Sequence, residues 1–101
     1  MGLRHLELRH DSLGPIGRIL EEKLQAAFSP LALSVIDESN QHHGHVGSHP
    51  SGESHFRVKI MAEAFRGASR VAQHRMINHV LAQELSGRVH ALAIETSSPP
   101  V

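Results

Sequence analysis

Residues 55–60 read His-Phe-Arg-Val-Lys-Ile, and they carry the clearest two-residue period in the chain. Phe56, Val58 and Ile60 alternate with polar side chains along this stretch. Because successive side chains of a strand point to opposite faces of a sheet, the pattern predicts a strand with one buried and one solvated face. The other elements can be placed around this strand.

Two elements precede this strand along the chain. Between Pro15 and Phe28, apolar residues recur at helical spacing, and the proline stands in the first turn, where its missing N–H costs nothing. Pro30 marks the end of that helix, because proline cannot continue it. Residues 33–36, Leu-Ser-Val-Ile, are bounded by turn residues and include β-branched side chains, which predicts a first strand.

A helix and a last strand follow. Ser69 can cap a helix that carries Ile77 and ends at Gly87, and residues 89–94 are predicted to form the strand. A strand, a helix and a strand in this order form a βαβ unit, so we expect parallel strands and a right-handed crossover. The sequence therefore predicts an α/β (α+β) fold of order αββαβ. It is a two-layer sandwich, in which two helices cover one face of a mixed three-stranded sheet.

The length of 101 residues fits one domain with a single core. We expect the folded part to span residues 14–95, preceded by a flexible segment at 1–13 and followed by a disordered tail at 96–101. No apolar run approaches the roughly 20 residues of a membrane span, and the acidic residues near the N-terminus argue against a transit peptide. A soluble cytoplasmic protein, monomeric when alone, is the expectation.

Composition restricts the chemistry. The chain has no cysteine, so it has no disulfide, no thiolate nucleophile and no self-contained zinc finger. Lys plus Arg and Asp plus Glu both number 10, so the net charge favours neither nucleic acid nor an anionic membrane. Glu53, Asp37 and Glu38 could be catalytic in principle, but carboxylates beside turns usually bind backbone amides. With no nucleophile elbow and no phosphate loop, we predict that the protein is not an enzyme.

A histidine-rich loop at residues 39–54 connects the first two predicted strands. It holds four of the chain's ten histidines, at positions 42, 43, 45 and 49. Neutral imidazole binds metals and changes charge near physiological pH, so the loop could hold a metal or respond to protons. The plainer interpretation is a solvated glycine-rich loop that binds zinc or nickel adventitiously, and it describes at least two of the four. No pair has the helical spacing that would preform a site.

Six short segments, in this order and spacing, resemble the BolA-like proteins. They are Asp37-Glu38-Ser39, Gly52-Glu53-Ser54-His55-Phe56, Phe65-Arg66-Gly67, His74-Arg75-Met76-Ile77, Leu81-Ala82-Gln83-Glu84-Leu85 and Val89-His90-Ala91-Leu92. The resemblance covers roughly residues 14–95. It implies a fold similar to the class II KH domain, binding to monothiol glutaredoxins and, in some of those complexes, a bridged two-iron two-sulfur cluster. One departure is Gln73, which stands where the family more usually has arginine.

The resemblance also implies a set of cluster ligands. His90 matches the family's C-terminal histidine and is the first candidate ligand; the second comes from the loop, where His42 aligns best and His45 is the alternative. The glutaredoxin and its glutathione would supply the sulfur, and Rieske centres show that a two-iron cluster accepts two histidines. No cofactor is expected in the isolated chain. The plainer alternative makes His90 a partly buried histidine at a strand start.

The remaining histidines of the predicted elements have simpler expectations. His74 and His79 fall on the second predicted helix, where packing or surface placement accounts for them. His55 alternates onto the polar face of its strand and is predicted to be a surface residue.

A nucleic-acid-binding regulator is the alternative function. Proteins of similar fold bind nucleic acid, BolA-like proteins have been connected with transcriptional control, and five basic residues could form a basic face: Arg57, Lys59, Arg66, Arg70 and Arg75. KH domains clamp the backbone with a Gly-x-x-Gly loop between helices, whereas the match here, Gly44 to Gly47, lies between strands. Three aromatic residues offer little for base stacking.

Overall fold

The computed structural model of the protein describes residues 13–39 and 52–101. Its elements are α1 (Pro15–Phe28), β1 (Ala32–Asp37), β2 (His55–Met61), α2 (Arg70–Val80), α3 (Ala82–Leu85) and β3 (Ala91–Ser97), with a 3₁₀ turn at Glu63–Phe65 before α2. This order confirms the predicted α+β fold. One difference is that the second helix is interrupted at Leu81, whose φ of −101° and ψ of 18° depart from helical geometry. The loop candidates His42 and His45 lie outside the described residues.

The sheet has three strands in the order β1-β2-β3, so β2 lies in the centre. β1 pairs antiparallel with β2, and β3 pairs parallel with it, as the βαβ unit predicts. The register places Val58 opposite both Val35 of β1 and Ile94 of β3. Because β2 and β3 are parallel, both strands begin at the same end of the sheet, which is also the end where β1 finishes.

The core lies between the sheet and the helices on one of its faces. Phe56, Val58 and Ile60 of β2 are almost fully buried, as the two-residue period predicts. They belong to one cluster with Leu20 and Leu24 of α1, Ile77 of α2, and Leu81 between α2 and α3. The opposite face, which α1 and α2 do not cover, carries His55, Arg57 and Lys59 of β2 and is called the open face below. No helix of the described part is both long and apolar enough to cross a membrane.

Two predicted boundaries are wrong at the ends of the domain. Leu13, assigned to a flexible segment, is buried in the core, where its side chain packs so closely over Gly17 that a Cβ on that glycine would lie 2.8 Å from a Leu13 methyl. At the other end, Thr96 and Ser97, assigned to a disordered tail, belong to β3. They are held there because the Thr96 hydroxyl donates to the Gln73 side-chain oxygen and the Ala62 N–H donates to the Ser97 carbonyl.

The helix starts show two kinds of capping. Ser69 caps α2 as predicted, its hydroxyl accepting from the Ala72 N–H at 3.1 Å. α1 begins at Pro15, and its N-cap residue, Gly14, has no side chain to cap the helix. Its first free amides are satisfied from elsewhere in the chain, since the Glu53 carboxylate accepts from Ile16 N at 2.9 Å and from Gly17 N at 3.0 Å. A carboxylate at this end also opposes the positive end of the helix dipole.

Glu53 reaches α1 because of its unusual backbone. Its φ is 62°, and Gly52 before it has a φ of 81°, so two consecutive residues adopt left-handed geometry. Glu53 itself is buried, and its carboxylate passes so close to Gly14 that a Cβ there would lie 2.6 Å from it. The glycine is therefore needed for this approach, and the expectation that Glu53 binds backbone amides is confirmed.

We expect Glu53→Ala to lower the free energy of unfolding by about 1–3 kcal/mol, because it leaves the buried amides of α1 without an acceptor. Urea unfolding followed by circular dichroism measures this. Glu22→Ala, an exposed carboxylate on the same helix, is the matched control and should change stability by less than about 0.5 kcal/mol. Equal effects of the two substitutions would contradict the capping role.

Candidate functional site

His90 lies at the end of the sheet where β2 and β3 begin. It is exposed and directly precedes β3, so it is not the partly buried histidine of the plainer interpretation. Its position is fixed through its backbone, since the N–H groups of His90 and Ala91 donate to the Ser54 carbonyl at 2.8 and 3.2 Å. The first candidate ligand is thus a solvent-facing imidazole on a firmly held strand start.

A network of polar contacts closes the base of the histidine-rich segment beside His90. One Asp37 carboxylate oxygen accepts from Ser39 N at 2.9 Å, and the other accepts from Glu53 N at 3.1 Å. The Ser39 hydroxyl accepts from Ser54 N at 2.9 Å and from His55 N at 3.2 Å. Ser39 and Ser54 are both buried. The two ends of the described chain at residues 39 and 52 are therefore linked by one network of hydrogen bonds, which is called the polar base below.

Arg88 links this base to the turn before β3. Its guanidinium donates to the Gly52 carbonyl at 3.3 Å. Because His90 also donates to the Ser54 carbonyl, the described residues at the end of the histidine-rich loop lie next to this candidate ligand. The pairing of His42 or His45 with His90 stays a prediction.

His55 is the site residue that sequence reasoning missed. It is half-buried, and its ring stacks beside that of His90 with centroids 6.5 Å apart and planes inclined by 16°. The Ser54 hydroxyl lies 2.9 Å from His55 Nδ1, so Ser54 contacts one histidine through its side chain and the other through its carbonyl. The proximity of His55 and His90 could have been inferred from the predicted parallel pairing of the two strands, because this pairing places two strand starts, each with a histidine, side by side.

The described residues supply a limited set of metal donors. They contain no group of three or more His, Asp or Glu side chains arranged to hold a metal ion. His55 and His90 bring two imidazoles together, whereas His74 and His79 lie on α2. What the described part of the chain can offer at this site is therefore two nitrogen ligands, with further ligands required from water, from the undescribed segment or from a partner.

The five basic candidates do not form one face. Arg57 and Lys59 lie on the open face, and Arg70 and Arg75 lie on α2, which packs against the other side of the sheet. The Arg57 guanidinium is bound between Glu38 at 2.8 Å and Glu95 at 2.9 Å. The hydrogen bond to Glu38, followed by that to Glu95, raises the pKa of Arg57 above its usual value. The Arg57 guanidinium is thus already paired with two carboxylates.

Arg66 is also engaged. It forms an ion pair with Glu63 and donates to the Pro99 carbonyl at 2.7 Å. The hydrogen bond between the two side chains raises the pKa of Arg66 and lowers that of Glu63. Of the five candidates, Arg70 and Arg75 remain as exposed cations on one helix, α2, whose sequence has no acidic residue.

The family model described as BolA-like protein matches residues 24–100. The chain belongs to the BolA-like family. A relative from Escherichia coli, named as the DNA-binding transcriptional regulator BolA, is 49% identical over 77 residues, which cover 76% of this chain and 70% of that protein. An uncharacterised Sinorhizobium protein is 53% identical over 81 residues, 79% of this chain and 87% of that protein.

Solved BolA structures agree with the fold. The BolA domain of SufE1 from Arabidopsis thaliana superimposes with a TM-score of 0.79 and 41% identity, covering 87% of this chain and 96% of that chain. This similarity supports the αββαβ order and the mixed sheet on which the BolA-like chain presents His90.

We expect Ser39→Ala to lower the free energy of unfolding by about 1–3 kcal/mol, because it removes the acceptor of two N–H groups at the start of β2. Chemical denaturation measures the loss. Ser34→Ala on the open face of β1 is a control of the same chemistry, expected within about 0.5 kcal/mol of the parent. A Ser39→Ala variant as stable as the Ser34→Ala variant would rule out this role of the hydroxyl.

Proposed function

We propose that this BolA-like chain is a non-enzymatic adaptor that binds a monothiol glutaredoxin and contributes nitrogen ligands to a shared two-iron two-sulfur cluster, in cluster trafficking or iron regulation. The observation that carries the proposal is the exposed imidazole of His90 beside the fixed base of a histidine-rich segment. The chain has no cysteine, so any thiolate at this position belongs to a partner.

The donor set fits a share of such a cluster. A two-iron cluster takes four protein or thiol ligands, and Rieske centres place two histidines on one iron. His90 would be one ligand and His42, with His45 as the alternative, the other; glutaredoxin and glutathione would supply the sulfur ligands. When bound, the cluster supplies redox-active iron and sulfide that can be passed on. The residues of this chain bind and orient it.

The role of an adaptor is supported by how the nearby carboxylates are used. Glu53 gives one oxygen to two amides of α1, and Asp37 gives both oxygens to backbone N–H groups. Carboxylates engaged in this way are parts of the scaffold. The third carboxylate that the sequence offered as catalytic in principle, Glu38, forms an ion pair with Arg57. All three therefore have structural roles, which favours binding over catalysis.

Mixing the protein with cluster-loaded glutaredoxin should change the visible circular dichroism of the cluster, because a histidine ligand alters the surroundings of the iron. We expect His90→Ala to abolish the change, and His79→Ala, an exposed histidine of α2, to preserve it. His42→Ala and His45→Ala, measured in parallel, identify the second ligand. An unaltered spectrum with the unsubstituted protein would refute the proposal.

A nucleic-acid-binding regulator is the second candidate. The name of the Escherichia coli relative, DNA-binding transcriptional regulator BolA, favours it. On this chain the function would rest on Arg70 and Arg75, since Arg57 and Arg66 are held in ion pairs and Lys59 lies on the open face. The balanced net charge predicts weak and salt-sensitive affinity.

For the second candidate, a gel shift with duplex DNA should weaken in Arg70→Ala and Arg75→Ala, because each loses a phosphate contact. Each substitution should also reduce the slope of log affinity against log salt by about 0.9. Lys59→Ala serves as the control from the open face and should behave as the parent. Absence of any shift at about 50 mM salt would eliminate this function.

A further inference from the structure

The pair of His55 and His90 has a geometry that the shared-cluster function does not require. That function draws its second nitrogen from the histidine-rich loop, and the sequence analysis expects no cofactor in the isolated chain. The described structure nevertheless holds two imidazoles side by side on adjacent strand starts, 35 positions apart in sequence (90 − 55). Both rings belong to described residues of this chain.

We propose that His55 and His90 form a two-imidazole site that binds one divalent transition-metal ion of the zinc, cobalt or nickel class in the isolated chain, with water completing the coordination. Imidazole is a suitable ligand for these ions. Magnesium and calcium prefer oxygen ligands, which this pair does not offer. The site shares His90 with the proposed cluster ligands but does not depend on glutaredoxin.

The ring separation is slightly larger than a shared ion allows. If each nitrogen lies about 2.0–2.1 Å from the metal, two imidazole centroids can be at most about 6.4 Å apart, and they are about 5 Å apart at the tetrahedral angle that zinc prefers. The observed separation is 6.5 Å, with nearly parallel planes. Metal binding therefore requires a rotation about the side-chain torsions that turns a nitrogen of each ring towards the ion and brings the rings closer by roughly 1 Å.

Ser54 organises both ligands. In the tautomer with a proton on Nδ1, the His55 ring donates to the Ser54 hydroxyl at 2.9 Å, and Nε2 carries the lone pair that a metal takes. Metal-binding histidines usually have such a partner on their other ring nitrogen, because it sets the tautomer and the ring orientation. Ser54 is fully buried, and its carbonyl accepts from His90 N. Ser54 thus contacts the ring of His55 and the backbone of His90.

The local charge is compatible with a cation. Arg57 lies two residues further along β2 on the open face, and its charge is countered by Glu38 and Glu95. One positive and two negative side chains give this trio a net charge of −1 (1 − 2). A divalent ion bound at His55 would therefore not face an uncompensated Arg57. Arg88, two residues before His90, adds one positive charge, and its guanidinium donates to the Gly52 carbonyl.

The test uses zinc alone and a variant from which the competing histidines are removed. Alanine replaces the six histidines at positions 5, 10, 42, 43, 45 and 49, which leaves His55, His74, His79 and His90. Isothermal titration calorimetry should show one ion per chain. In this background we expect His55→Ala and His90→Ala each to weaken binding at least about tenfold, Ser54→Ala to weaken it about tenfold, and His79→Ala to leave it unchanged.

A second measurement keeps the proposal falsifiable if a substitution impairs folding. In the six-alanine variant with the pair intact, zinc should shift the imidazole nitrogen resonances of His55 and His90 and leave those of His74 and His79 in place. Binding no tighter than about 1 mM, an unchanged affinity in folded His55→Ala, or shifts at His74 and His79 only would overturn the proposal. None of these outcomes bears on the cluster experiment, since that requires glutaredoxin and this one does not.

Discussion

The carboxylate of Glu53 is the interaction on which the arrangement of this domain depends. It joins the start of the central strand to the first turn of α1, two parts of the chain separated by 36 and 37 positions. The contact requires Glu53 in left-handed geometry, which is unfavourable for a residue with a side chain. Asp37 offsets this cost by accepting from the Glu53 N–H. Helix, strand end and strand start are thereby fixed relative to one another by a few buried hydrogen bonds.

The functional groups are attached to this rigid polar base. Ser39 and Ser54 continue the network from Asp37 to the two strand starts, and the histidines lie at its edge, where they meet solvent. Buried or partly buried serines and carboxylates hold the geometry, while the imidazole of His90 is exposed to solvent. The sequence motif Gly-Glu-Ser-His-Phe can be understood in these terms, since its glutamate and serine form internal hydrogen bonds and its phenylalanine is buried in the core.

The elements with a strong periodic pattern were predictable, and those that depend on distant contacts were not. The alternation of Phe56, Val58 and Ile60 predicted β2 and its buried face, and Ser69 predicted the start of α2. The length of β3 was not predictable, because Thr96 remains in the strand through a hydrogen bond to Gln73 on a different element. The departure from the family's arginine at Gln73 thus has a structural use, since its amide also donates to the carbonyls of Phe65 and Ala68.

Site prediction followed the same division. His90 could be found by resemblance, but the pairing with His55 follows from the exact register of β2 and β3, which no single stretch of sequence contains. The supposed basic face failed for a related reason, because alternation along β2 sends Arg57 to the side of the sheet opposite α2. In both cases the outcome depends on how the strands pair and on which face of the sheet a side chain lies.

The parallel pairing of β2 with β3 has a consequence for the order in which the chain assembles. It joins strands whose starts are 36 residues apart (91 − 55), with two helices between them, so it closes the longest loop in the sheet and contributes most to a slow folding step. A ligand that bridges the two strand starts would stabilise this late-forming contact. It would lower the unfolding rate of the domain and leave the folding rate unchanged.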